Sequence, residues 1–198
     1  MSVKIYVEGG GNQKRTERAC KEAFSKYFQK VVRPGALPRV VVSRDRRKAY
    51  EDFSRGLSDT KYGRVLLLVD AEQGVTDGDT AWNHLQKRDA WAKPHGAQDD
   101  SAHLMVQCME SWFIADKEYL ADYYGQGFNA GALPPREDIE LIAKRDVFSG
   151  LENATKHTRT KGPYHKTKHG FDILAGIDPR KVERASPFAK CLHESVQE

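Results

Sequence analysis

Residues 65–69 read VLLLV without a polar side chain, and the run ends on Asp70. A continuous apolar run of this kind is what a central parallel strand carries when helices cover both of its faces. Around it, strand and helix patterns alternate. Residues 4–7 read as a first strand. Residues 13–32 read as an amphipathic helix, with Cys20, Phe24, Tyr27, Phe28 and Val31 recurring on one face. Pro34, Gly35 and Pro38 punctuate its exit. A second strand is expected at 39–43, and a second helix at 45–57 with Ala49, Tyr50, Phe53 and Leu57 as its stripe. After the central strand come a short helix at 80–87, a polar loop at 93–101, a fourth strand at 103–107 and a helix at 110–123. Repeated β-α-β spacing predicts an α/β fold, a mostly parallel central sheet flanked by helices. Past Gly125 the pattern changes to a Gly/Pro loop and short helical segments at 139–143, 147–155, 171–175 and 181–192. Residues 1–125 are therefore expected to form the core, with 126–198 a helical C-terminal extension packed on it.

A chain of 198 residues can bury a sizeable core, yet 30% of it is charged, so much of its surface is solvated or meets a charged partner. The net charge of +4 favours a polyanion only weakly. Cys20, Cys108 and Cys191 have no CxxC spacing, which argues against a disulfide framework and a thiolate zinc site. Cys20 and Cys108, in apolar stretches, are expected in the core. His84, His95 and His103 show no zinc-ligand spacing. The start of the chain reads as strand and loop rather than as a signal peptide. No apolar run approaches the roughly 20 residues of a bilayer span, so a soluble, cytoplasmic protein is expected.

Chemistry concentrates where strands end. Glu8 closes the first strand and is followed by Gly9, Gly10 and Gly11, a loop in which backbone can approach a phosphate, before a helix N-terminus with free N–H groups. Glycines alone would read as a tight turn, and no Walker lysine follows them. A carboxylate beside a phosphate cradle is repulsive unless a cation lies between them. Asp70 ends the central strand with Glu72 two residues on, and in extended backbone that spacing puts both acids on one side. An isolated Asp there would read as a cap or turn residue. Paired with Glu8 on a neighbouring strand, it reads as a metal ligand, because ligands collect at the carboxyl ends of parallel strands and converging carboxylates suit Mg²⁺ or Mn²⁺. Glu110 opens the helix after the fourth strand, where the helix dipole alone would favour an acid.

The segments VEGGGN (residues 7–12) and VDAE (residues 69–72) resemble the Toprim domain, the catalytic module of topoisomerases, primases and OLD-type nucleases. MESWFIAD (residues 109–116) and the later run into IDPRKVERASPFAK look like the small bacterial Toprim-related proteins allied to RloB and the OLD nucleases. The resemblance implies a Toprim-like, Rossmann-like fold and a Mg²⁺-dependent phosphodiester enzyme, often working beside an ABC-type ATPase in anti-phage defence. Glu8 matches the first-strand Glu, and Asp70 and Glu72 the acidic pair. The pair here is D-x-E where the family commonly has D-x-D, and Asn12 stands where many members carry an acid.

Residues 156–169 read KHTRTKGPYHKTKH, with five Lys/Arg, three His and no acid. That density of positive charge is either a solvated loop or a phosphate-contacting arm. In the second case Lys161, Lys166 or His169 would stabilise charge on the transferring phosphoryl group, and Tyr164 would stack on a base or anchor the loop. A second basic set, Arg39, Arg44, Arg46, Arg47 and Lys48, follows the second strand and is expected at the same sheet end as Glu8 and Asp70, though ordinary helix solvation explains it nearly as well. The leading expectation is a nuclease with ions held by Glu8, Asp70 and Glu72 and assisted by Glu110, acting on DNA or RNA, tRNA included. Its rivals are a Toprim-shaped binding or regulatory subunit of an ATPase complex with vestigial acids, and a nucleotide-binding phosphotransferase using the glycine loop.

Overall fold

The computed structural model describes residues 2–9, 11 and 13–198. Four strands, β1 (Val3–Glu8), β2 (Arg39–Ser43), β3 (Arg64–Asp70) and β4 (Ala102–Met105), form one sheet in the order β2-β1-β3-β4, every neighbouring pair parallel. The chain is α/β, as the strand–helix alternation predicts. Helix α1 (Lys14–Gln29) carries the chain from β1 to β2 on one side, and α2 (Arg46–Gly56) returns it to β3 on the other side of β1. The connections therefore diverge between β1 and β3. That divergence is a topological switch point, where the carboxyl ends of the two strands open a crevice.

Period-2 alternation assigns the faces. Ile5, Val7, Leu66, Leu68 and Met105 point into one core, with Phe24, Tyr27 and Phe28 of α1 and Trp112. Tyr6, Leu67, Val69 and Leu104 point into the other, with Phe53 of α2 and Trp82 and Leu85 of α3 (Ala81–Asp89). Both faces of β3 are thus covered, and its apolar run follows from that.

The single helix expected at 110–123 is two: α4 (Met109–Ile114) and α5 (Lys117–Tyr124). Asp116 separates them because its carboxylate accepts the Tyr119 N–H at 3.2 Å as the cap of α5, and also accepts Asp178 N–H at 2.9 Å. Local capping competes with continuing the helix. The helix expected at 181–192 is likewise split, into α8 (Pro179–Ala185) and α9 (Pro187–Gln197). Pro187 ends one helix and starts the next, and Ser186 caps α9 by accepting from Ala189 N–H at 3.0 Å. The segments expected at 147–155 and 171–175 extend to α6 (Lys144–Thr155) and α7 (Lys166–Gly176), while 139–143 holds only a 3₁₀ turn, Ile139–Leu141. Leu151, Ile173 and Leu192 of the C-terminal part share the hydrophobic cluster of Val7 and Phe24, so the extension completes the sheet's core. No helix among the described residues is long and apolar enough to cross a membrane.

His103 of β4 lies among buried groups, and its Nε2 has no hydrogen-bond partner among the described residues. Burial, reinforced by the Arg64 charge, pushes its pKa down to about 4. The unfolded chain takes up this proton near pH 6.5, before the fold does, so stability is full above about pH 6.5 and falls as the pH drops toward 4. The loss attributable to this group is of order 3 kcal/mol. His103→Leu is expected to flatten the fall in denaturant midpoint between pH 6.5 and 4. An unchanged acid profile in the variant would show that His103 does not set it.

Candidate metal centre

Glu8 ends β1 and Asp70 ends β3, at the same end of the sheet and on either side of the switch point. Glu72 lies just beyond β3. One carboxylate oxygen from each of the three lies within 4.8 Å of the others. The pair does not converge through extended backbone, as the D-x-E spacing implied. Glu72 has φ +70°, and its N–H donates to Gln107 O at 2.6 Å after Ala71 N–H has bonded Met105 O at 2.9 Å. The ladder to β4 continues, and the left-handed residue at its end turns the Glu72 side chain back toward Asp70. His84 Nε2 donates to Ala71 O at 2.9 Å and holds this turn from α3. Such a conformation is uncommon for a non-glycine residue and persists only where its surroundings over-determine it.

Each acid already has one oxygen engaged. Asp70 Oδ1 accepts from Met109 N–H at 2.8 Å, so Asp70 also caps α4, where the Cys108 thiol makes no capping bond. Glu8 Oε2 faces Arg46 Nη1 at 3.5 Å, and Glu72 Oε2 accepts from Lys144 Nζ at 2.5 Å. Arg46 is fixed by a two-pronged contact with Asp89, at 3.2 and 2.8 Å, by the Asp70 carbonyl and by the Trp91 ring 5.1 Å away. Burial raises the pKa of Glu8, with Arg46 opposing and Glu72 adding to it. Burial raises that of Asp70 well above the usual carboxylate range, and the neighbouring Glu8 adds to the rise. For Glu72, burial is the largest influence and would raise the value, but the Lys144 hydrogen bond and the charges of Lys144, Arg88 and Arg46 together outweigh it, and the net shift is downward. Two of the three carboxylates thus sit where negative charge lacks full compensation.

A pocket of about 420 Å³ opens beside Asp70 and Glu8, bounded by Gly9, Gly11, the first turn of α1 and Lys166 of α7. Gly9 has φ +143°, and a Cβ there would lie 2.9 Å from Cys20 Sγ, so only glycine lets the loop sit this close to α1. Gly11 is also left-handed, at φ +54°. Gly10 and Asn12 lie outside the described residues.

Glu110 is not brought into the carboxylate trio. It is fully buried, its Oε1 accepting from Tyr164 O–H at 3.1 Å and facing Lys166 Nζ at 3.4 Å, with Oε2 unpartnered among the described residues. Its place in the first turn of α4 points it under α7 rather than into the crevice, where it holds Lys166. The basic arm is a folded loop. Thr158 Oγ1 donates to Thr155 O and Gly162 O, at 2.9 and 2.8 Å, and Tyr164 N–H donates to Thr155 Oγ1 at 2.7 Å. Tyr164 packs against Phe113, Phe148 and His169 and anchors the loop, with its ring committed to the interior. His169 is buried against Tyr123, Tyr124 and Tyr164, accepting from His165 N–H at 3.1 Å, and does not line the pocket. Lys161 lies 4.4 Å from the Tyr123 ring, outside the pocket lining. Of the arm's candidates, only Lys166 reaches the pocket.

In the second basic set Arg39 begins β2, at the opposite end of the sheet, and Arg47 and Lys48 pair with Glu51 and Asp52 along α2. Arg46 alone turns into the site. Lys144 and Gln107 carry no sequence signal. Gln107 Oε1 accepts from Lys144 N–H at 2.9 Å and so fixes the start of α6, which brings the lysine to Glu72.

No curated protein and no solved structure matches the chain. Residues 7–197 match the family described as a domain of unknown function, DUF4276. With that match spanning nearly the whole sequence, the chain belongs to the DUF4276 family.

Proposed function

We propose that the chain is a Mg²⁺- or Mn²⁺-dependent phosphodiesterase acting on nucleic acid, a nuclease of Toprim-like design. The observation that carries this reading is the carboxylate count at the switch point. Six oxygens belong to Glu8, Asp70 and Glu72, and three of these are engaged by Arg46, Met109 N–H and Lys144. Among the described residues one oxygen of each is left outside these contacts, and one carboxylate oxygen from each of the three residues lies within 4.8 Å of the others. Three hard oxygen donors with room for water and substrate suit one Mg²⁺ or Mn²⁺. Arg46, Lys144 and Lys166 stand around the trio where a second ion would otherwise supply charge.

A bound divalent ion would polarise the phosphoryl oxygen and favour ionisation of an attacking water. The chain's own groups do the rest. The N-terminus of α1 and the backbone at Gly9 and Gly11 receive the phosphate. Lys166 faces the charge that builds on its oxygens. Hydrolysis forms a bond from the water oxygen to phosphorus and breaks the ester P–O bond, and the departing alkoxide takes a proton to leave an alcohol and a phosphate monoester.

Calorimetric titration is expected to give one Mn²⁺ per chain. At a hundredfold excess over Kd, binding to the folded state alone is worth about 2.7 kcal/mol, so Tm should rise by about 5–10 °C. Metal-dependent cleavage of DNA or RNA oligonucleotides, abolished by chelation, is the functional test. A second reading has its own observation: Arg46 and Lys144 already pair with two of the three acids, as in a binding subunit of an ATPase complex whose acids are vestigial. Absence of Mn²⁺ binding and of any melting shift would decide for that subunit.

A further inference from the structure

The pocket has two poles. One holds Glu8, Asp70 and Lys166; the other is lined by Met105, Met109 and Phe171. Met105 and Met109 are almost wholly buried and form a floor, whereas Phe171 on α7 is half-buried. Polar groups stand between the poles. Gln13 occupies the N-cap position of α1, its side chain makes no capping bond, and it lines the pocket. Thr16 lines the wall one turn further on. Outside, Lys14, Arg15 and Lys168 are exposed on the two helices that form the rim.

We infer that this pocket receives one unpaired nucleotide of a nucleic-acid strand, its phosphate at the acid and lysine pole and its base against Phe171 and Met109. This rests on the phosphodiesterase reading and adds the form of the substrate. A phosphate held at the carboxylates places whatever it carries in the remaining space. That space offers an aromatic ring, two thioethers and an amide, a lining that suits a flat heteroaromatic group with hydrogen-bonding edges. Volume sets the second limit. About 420 Å³ is at the small end of ligand pockets, enough for a single nucleotide and too little for a base still joined to its partner. A duplex would have to unpair there, at a cost an already single strand avoids. The rim cations suit the neighbouring phosphates of a strand leading in and out.

The test uses the full chain with saturating Mn²⁺ and measures affinity for inorganic phosphate, ribose 5-phosphate and AMP, then for a single-stranded oligonucleotide and a blunt hairpin of equal length. AMP is expected to bind at least about tenfold tighter than ribose 5-phosphate, as base–aromatic stacking contributes. The single strand should bind tighter than the hairpin and tighter than AMP, which marks the nucleic-acid strand rather than a free nucleotide as the source. Phe171→Ala should remove the preference for AMP while Mn²⁺ affinity is kept. Phe171→Leu, which keeps the apolar volume, should behave alike and guards against a folding defect in the alanine variant. Equal affinity for AMP and ribose 5-phosphate, AMP binding as tightly as the strand, or a preference for the hairpin would overturn the inference with the metal reading intact. Failure to bind Mn²⁺ would overturn both.

Discussion

Glu8→Gln is expected to lower Mn²⁺-dependent cleavage of a single-stranded oligonucleotide by more than a hundredfold, with the fold intact. Loss of a partner outside the coordination shell costs about 10- to 100-fold in a metal site, and loss of a ligand should exceed it. Glutamine keeps the shape but offers a neutral oxygen to a hard cation. Stability should move the other way. Burial, with the Glu72 charge adding to it, disfavours ionised Glu8 in the fold, so neutralising it at pH 7 removes a liability and Tm should hold or rise slightly in the absence of metal. Asp70→Asn should act in the same manner, since its amide oxygen can still accept from Met109 N–H and keep the cap of α4. The double variant should be little worse than either single, because groups that hold one ion act as a unit. Full cleavage activity in Glu8→Gln would sink the metal-nuclease reading and favour the binding subunit.

What could be read in advance follows from how local each signal is. The strand–helix alternation, the covered central strand and the shared end of Glu8 and Asp70 rest on patterns a few residues long, and periodicity carries them. The broken helices were not legible, because Asp116 and Ser186 act as caps only through geometry the sequence pattern does not fix. The electrostatics of the site were less legible still. Lys144 is 72 positions from Glu72 and arrives through a bond from Gln107 to the start of α6. Arg46 stood in a basic cluster whose other members are ordinary surface charge, and what singles it out is the clamp by Asp89 and Trp91, more than 40 residues on. The basic run at 156–169 misled by composition. Thr158 within the run and Thr155 just before it fold the loop, and Tyr164 and His169 turn inward.

Lys166 separates a catalytic cation from a ligand by the sign of two effects. Lys166→Met should lower cleavage by about 10²–10³, the usual cost of removing a group that stabilises transition-state charge. It should not weaken Mn²⁺ binding, because the lysine lowers the pKa of Glu8 and Asp70 by its charge and therefore repels a cation at the same place. Glu8→Gln, by contrast, should weaken both. The variant should also lose stability, for Lys166 is the one cation within ion-pair distance of the buried Glu110 among the described residues. Removing one partner of a fully buried pair costs about 3–5 kcal/mol. The loss here should be smaller, because the Lys166 side chain is 50% exposed and water can replace part of it. Adding Glu110→Gln to Lys166→Met removes the stranded charge, and the amide oxygen can still accept from Tyr164. Thermal stability should then recover while cleavage stays low. If activity returned along with stability, Lys166 would be a structural counter-ion for Glu110 and its place beside the carboxylates incidental.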